Sequence, residues 1–247
     1  MVSKNHPRYN SLIEREKIKN AYKEGFLAET GMIAHGRGET FDYLIGEKTI
    51  ETSKEAIYAS VAKLLTSQNP VISINGNSTA LAIDEIIKLS KIINGKIELN
   101  LFYRTPERVE KIEKILKNKG YMDLLGTDND NLKYIEEIES PRATASKNGI
   151  YSADTVLVAL EDGDRAEILK KSGKFIIAID LNPLSRTAQM SDITIVDNIT
   201  RAIPLMIKIA IKFKNKSIEE LNDIASNFSN DNNLKNALNH IKNNYNK

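Results

Sequence analysis

"TVLVALEDGDRAEILKKSGKFIIAI", residues 155–179, is the stretch that decides the fold. Two short apolar runs, 155–160 and 175–179, flank an amphipathic segment at 164–171. That alternation is the pattern of two parallel strands joined by a crossover helix. It recurs in both directions along the chain. Apolar runs stand at 71–74 (VISI), 97–102 (IELNLF), 122–125 (MDLL) and 193–196 (ITIV), with amphipathic segments at 79–93, 105–119 and 200–213. Strands that are apolar throughout belong to a sheet covered on both faces. The spacing therefore predicts an α/β protein with a Rossmann-like, doubly wound, mostly parallel sheet in a core spanning 69–215. The link from 180 to 192 is too short for a full crossover helix and is predicted to hold one turn at most.

Residues 1–68 read as N-terminal helices and a Gly-rich loop packed on that core. Helical spacing covers 11–26 and 52–68, with Thr52 or Ser53 as the N-cap of the second helix. Between them "GMIAHGRGETFDYLIGEKT" (31–49) is rich in Gly and charge and poor in periodicity, so it reads as a long loop. The Asn- and Lys-rich segment 216–247 reads as a helical tail, one or two surface helices with a loose end. The three segments are expected to form one integrated domain.

The chain has 247 residues, 41% of them hydrophobic, which suffices for one large core. Lys+Arg 35 against Asp+Glu 33 leaves a net charge of +2, without the basic excess of a general nucleic-acid clamp. With no cysteine there is no disulfide, thiolate nucleophile or Cys-ligated metal. The first residues, "MVSKNHPRYN", lack the apolar run of a signal peptide. No run approaches the ~18 apolar residues of a membrane span, and "IPLMIKIAIKF" is broken by Lys208 and Lys212. The expectation is a soluble cytoplasmic protein, with neither nucleic acid nor membrane as partner.

Open parallel sheets bind ligands outside the carboxyl ends of their strands, so the loops there are the candidates. After the first strand, "NGNSTAL" (75–81) offers Asn75 and Asn77 amides, close backbone approach at Gly76, and Ser78 or Thr79 to cap a helix whose N-terminus attracts an anion. The plainer alternative is an ordinary turn. Neither GxGxxG nor GxxxxGK[ST] occurs here. In "LEDGDRAEIL" (160–169), Asp162 or Asp164 can cap the helix or hold Mg²⁺. "DLNPLSRT" (180–187) places Asp180 for a ribose hydroxyl, Asn182 for an adenine or ribose edge, and Arg186 with Thr187 for a phosphate. In the alternative, Asp180 and Ser185 only make local backbone bonds. Pro183 stiffens the turn, Leu184 is expected to point inward, and Asp197-Asn198 closes the neighbouring strand. "HGRGE" (35–39) sets Arg37 between glycines beside His35, while His6, Arg8 and Arg15 form a second basic group. For Arg15 a surface salt bridge is the default reading. "KKSGK" (170–174) reads as a solvated helix end. These residues alone point to an α/β protein that binds a phosphorylated or adenylated ligand, without fixing a reaction.

Five blocks carry more. "HPRY…REK", "AHGRGETFDYLIGE", "NPVISINGN", "GIYSADTVLVALEDGDR" and "KFIIAIDLNPLSRTAQMSDITIVDN" together resemble archaeal phosphopantothenate synthetase, the 4-phosphopantoate–β-alanine ligase family of coenzyme A biosynthesis. The resemblance covers about residues 4–213. It implies a homodimer that joins 4-phosphopantoate to β-alanine with ATP and Mg²⁺, releasing AMP and diphosphate. It also implies nucleotide contacts from Arg15, Arg37, Asp180, Leu181, Asn182, Arg186, Thr187, Asn198 and Ile199. The phosphopantoate pocket is placed by inference near Arg8, Asn75, Gly76, Asn77 and His35. Arg37 and Arg186 are expected to stabilise charge on the reacting phosphates, and His35 is the candidate base. No metal ligand is assigned, and the 31–50 segment is the expected lid. Two other classes remain in view: a non-catalytic nucleotide-sensing module, and a nicotinamide oxidoreductase, which the missing glycine fingerprint disfavours.

Overall fold

The computed structural model describes residues 3–127, 132–134 and 144–245. Strands β1 (Pro70–Ile74), β2 (Lys96–Leu99), β5 (Thr155–Ala159), β6 (Phe175–Ile179) and β7 (Ile193–Ile195) form one parallel sheet in the order β2-β1-β5-β6-β7. A short antiparallel pair, β3 (Leu132–Tyr134) and β4 (Thr144–Ser146), stands apart from it. Residues alternate between two cores. Ile72, Leu157 and Ile177 pack into the larger one, while Val71, Val156 and Ile176 face the smaller one. Both faces are therefore buried, which is why these strands are apolar throughout.

The intervening helices are α4 (Gly76–Ile92), α5 (Pro106–Asn118), α6 (Gly163–Lys171), α7 (Arg186–Met190) and α8 (Ile199–Phe213). The five-residue α7 is the single turn expected between β6 and β7. Helices α1 (Tyr9–Lys23), α2 (Glu29–Ile45) and α3 (Glu51–Thr66) precede the sheet, and α9 (Ile218–Ser226) and α10 (Asn230–Tyr245) follow it. Among the described residues, no helix is long and apolar enough to cross a membrane.

Several local expectations are corrected. The 31–49 segment is not a loop but most of α2. Its buried residues, His35, Asp42 and Ile45, share one face, and two of the three are polar. An apolar period is consequently missing although the helical period is present. Gly46, at φ 86, ends the helix. The MDLL run is not a strand. Leu125 makes one parallel bridge to Glu98, and Gly126, at φ 75, turns the chain away.

Further details differ. The N-cap of α3 is Ile50, and Ser53 is buried in the first turn, donating to the Val196 carbonyl at 2.6 Å. Asn75, rather than Ser78 or Thr79, caps α4, and the Ser78 hydroxyl accepts from the Asn75 N–H in return. Leu184 points outward at 58% exposed. Lys174 is buried, with Nζ donating to the carbonyls of Tyr151 and Ala153 at 2.8 and 3.2 Å, so "KKSGK" is only partly solvated. The tail is not peripheral, because Leu234 and Ala237 of α10 lie in a buried cluster with Ile45, Ile50, Leu181 and Val196.

Candidate active site at the switch point

The chain leaves β1 for β2 on one side and returns to β5 on the other, so strand order reverses between β1 and β5. Ligands collect at such a point, outside the carboxyl ends of the two strands. Here the two loops are tied together. Asn75 Oδ1 accepts from the Ser78 N–H at 3.0 Å, while its Nδ2 donates to the carbonyls of Ala159 and Leu160 at 3.0 and 3.1 Å. Asn75 thus serves as cap and strand clamp together, and its side chain is committed to the fold. Asp162 caps α6 by accepting from the Arg165 N–H at 3.0 Å. Behind this turn Arg165 is fully buried, 3.9 Å from Glu161 and hydrogen-bonded to the Asn100 amide oxygen at 3.1 and 3.0 Å.

In front of the loops lies an open cleft of about 300 Å³, lined by Asn75, Gly76, Asn77, Glu161, Asp162, Arg37 and Arg108 among others. Arg37 is exposed on α2 and makes no hydrogen bond or ion pair among the described residues. Its charge is felt by Asp180, whose carboxyl is nevertheless pushed up, chiefly by burial. Asn77 is buried, and its Oδ1 has no partner among the described residues.

A second, tight crevice meets the cleft at Leu160. It is lined by His35, Gly38, Leu181, Asn198 and Ile199, and has room for little more than one water at about 20 Å³. His35 is buried, its Nε2 without a partner among the described residues, and burial depresses its pKa. The crevice floor is a polar network. Asn198 Nδ2 donates to Glu14 and Asp42, both at 3.0 Å, and Asn198 Oδ1 caps α8 through the Thr200 N–H at 3.1 Å. Arg201 pairs with Asp42 and Asp197, and Thr49 donates to Asp197 at 2.6 Å. Burial raises the Asp197 pKa despite the adjacent guanidinium. The Asn198 side chain is therefore saturated, and what this corner offers a ligand is the start of α8 at Ile199.

The "DLNPLSRT" turn fulfils its local reading. Asp180 accepts from the Asn182 N–H at 2.9 Å and from the Ser185 hydroxyl, and Asn182 Oδ1 accepts from the Leu184 N–H at 2.9 Å. Thr187 is buried and donates to the Glu161 carbonyl at 2.9 Å, tying this turn to the cleft edge. Arg186 is held apart from Arg37, in ion pairs with Asp164 and Glu167 on α6. Arg15 has the salt bridge that was its default, to Glu39 at 2.7 Å. Arg8 reaches the same Glu39 at 3.5 Å and lies over the Tyr43 ring.

The structure brings His35, Leu181, Asn198 and Ile199 together in the crevice and Arg37, Asn75, Gly76 and Asn77 in the cleft. Arg8, Arg15 and Arg186 line neither. Arg108, Glu14, Asp42 and Arg201 were missed by sequence reading. Among the described residues no group of three carboxylates or histidines could hold a metal ion. Asp164 is committed to Arg186 and Asp162 to its cap.

Residues 52–244 match the phosphopantothenate/pantothenate synthetase family. A 4-phosphopantoate–β-alanine ligase from Thermococcus kodakarensis is 51% identical over 242 residues, covering 98% of this chain and 92% of that protein. One from Methanosarcina mazei is 46% identical over 241 residues, covering 98% and 94%. The match to residue 244 takes in the tail, as its packing requires. The chain belongs to the phosphopantothenate/pantothenate synthetase family.

Proposed function

We propose that this protein is an ATP-dependent ligase that condenses 4-phosphopantoate with β-alanine through an acyl-adenylate, releasing AMP and diphosphate. The observation that carries the reading is the junction at Leu160, where a cleft bearing Arg37 and Arg108 adjoins a crevice walled by Leu181 and Ile199. Two adjoining compartments suit two substrates that must meet at one point, and the names of the relatives support 4-phosphopantoate and β-alanine as the acid and the amine.

A carboxylate and an amine do not condense in water, so the acid is activated first. Its carboxylate attacks the α-phosphorus of ATP and diphosphate leaves. The β-alanine amine then attacks the acyl carbon, and AMP leaves. Arg37, in the cleft wall and unpaired among the described residues, offsets the charge that gathers there. Arg186 and Arg15 join it only by exchanging their present carboxylate partners for phosphates. Mg²⁺ on the phosphates would add Lewis-acid stabilisation. His35, whose buried Nε2 lies in the crevice wall without a partner among the described residues, is the candidate to accept a proton from the amine.

The crevice is too small for a purine as it stands, so binding widens it. Helix α2, which bears His35, Arg37 and Gly38, is the wall that moves and the shield against hydrolysis of the adenylate. The active unit is a homodimer. Exposed Ile33, Tyr43 and Leu44 on the same helix are the apolar surface available for it.

Incubation with ATP, Mg²⁺, 4-phosphopantoate and β-alanine should yield AMP, diphosphate and product in equal amounts. With ¹⁸O in the phosphopantoate carboxylate, one label should appear in AMP. ADP as product, or unlabelled AMP, would sink the mechanism.

A further inference from the structure

Arg108, in the first turn of α5, forms part of the cleft wall. Its Nε and Nη2 donate to the Phe26 carbonyl, both at 3.2 Å, and Nη1 donates to the Tyr103 carbonyl. No carboxylate pairs with it among the described residues. A guanidinium carries five N–H groups. Three are used here, which leaves one on each terminal nitrogen, the pair suited to a bidentate oxyanion. Neutral carbonyls fix the cation in place without cancelling its charge. Gly76 supports the arrangement, since a Cβ there would lie 3.1 Å from the Phe26 carbonyl oxygen. Glycine lets the N-terminus of α4 rest against the same peptide that holds Arg108.

The same cleft contains a second group awaiting a partner, Asn77 Oδ1, on a side chain 7% exposed. A carbonyl oxygen there calls for a donor such as a substrate hydroxyl. The two cleft cations are also divided in position. Arg37 acts on Asp180, beside the crevice, whereas Arg108 is anchored to Phe26 and Tyr103. An acid whose carboxylate meets the nucleotide near Arg37 turns its other end toward Arg108.

We propose that Arg108 reads the phosphate of the acid substrate and sets the preference for the phosphorylated acid over its dephosphorylated form. The family description names both phosphopantothenate and pantothenate, so membership alone does not fix that preference. The proposal rests on the ligase reading above.

The test compares wild type, Arg108→Gln and Arg108→Lys with 4-phosphopantoate and with pantoate. Loss of a charge-assisted bidentate contact should raise KM for phosphopantoate on the order of 10- to 100-fold in Arg108→Gln. KM for ATP and β-alanine should stay within roughly twofold, and selectivity for phosphopantoate over pantoate should fall. Arg108→Lys should lie between, since it keeps a charge without the fork. A KM rise for ATP of the same size, or selectivity held within about twofold of wild type, overturns the proposal. Inorganic phosphate provides a readout in the unaltered protein. It should inhibit competitively against phosphopantoate and not against ATP, and absence of that competition overturns the proposal as well. If the wild type forms no AMP with either acid, the ligase reading fails instead.

Discussion

Replacing Asn198 with Asp changes one nitrogen to oxygen at the centre of the buried network. The amide now gives one N–H to Glu14 and one to Asp42, both at 3.0 Å. Asp caps a helix as well as Asn, so the bond to Thr200 survives and the substitution isolates the bridge. With all three carboxylates ionised, each new contact at that distance would cost about 5 kcal/mol at an effective dielectric constant near 20. Arg201 is already shared between Asp42 and Asp197 and cannot screen the newcomer. Protonating one carboxyl is the cheaper response, costing about 4 kcal/mol at pH 7 from an ordinary pKa near 4. One of the two amide hydrogen bonds is lost besides, while the new carboxyl O–H gives a strong one back. The net destabilisation is about 4–6 kcal/mol, a large part of the ~5–15 kcal/mol that holds a domain folded. The shared proton raises the folded-state pKa above its unfolded value. The variant's deficit therefore grows as pH rises and shrinks by about 1.4 kcal/mol per unit between pH 7 and pH 5. Urea unfolding of both proteins at the two pH values measures this. A deficit below about 1 kcal/mol at pH 7, or one that ignores pH, would refute the reasoning.

Arg37→Ala should lower kcat/KM at least tenfold, about 1.4 kcal/mol of transition-state stabilisation, without changing the thermal midpoint. Wild-type turnover in that variant would remove Arg37 from the chemistry. Arg186→Ala should also cost about tenfold or more in turnover. Its ion pairs with Asp164 and Glu167 are largely exposed, so stability should change by less than about 1 kcal/mol; an equal turnover rate would leave the residue with a surface role only. His35 has a folded-state pKa below its ordinary ~6.5, so its stabilising contribution is complete above that value and is lost as pH falls through the lower one. The melting temperature should drop on acidification below pH 6.5, and His35→Asn should flatten that slope; identical slopes would assign the drop to other groups.

The parallel sheet was legible because burial on both faces leaves an unmistakable apolar run, and the α6 cap was legible as Asp162 or Asp164, of which the structure uses Asp162. Helix α2 was not, because its buried face carries His35 and Asp42 in place of aliphatic side chains. The role of Asn198 was hidden for a different reason. Its partners Glu14 and Asp42 lie 184 and 156 positions away, and no local pattern announces a contact at that range. Arg108 was overlooked because its first-turn position after Pro106 looks like ordinary helix surface, and only the fold brings the Phe26 carbonyl to it. The basic group His6, Arg8 and Arg15, and Arg37 apart from it, were visible in the sequence, three arginines in all. That Glu39 neutralises two of the three and leaves one free was not.

Asparagines in α10 do more than hold the tail in place. Asn230 Oδ1 accepts from the Thr194 N–H at 2.8 Å, and Asn233 Nδ2 donates to the Thr194 carbonyl at 2.7 Å. These amides occupy the outer hydrogen-bonding groups of β7. At the opposite margin, Leu125 exchanges backbone bonds with Ile97 and Leu99 of β2 at 3.0 and 2.9 Å. Both margins of the sheet are thus sealed by the chain itself, in the way that proteins guard against strand-to-strand association. Extension of the five-stranded sheet from one copy into another is thereby disfavoured. Self-association, where it occurs, falls to other surfaces, such as the exposed apolar side chains of α2.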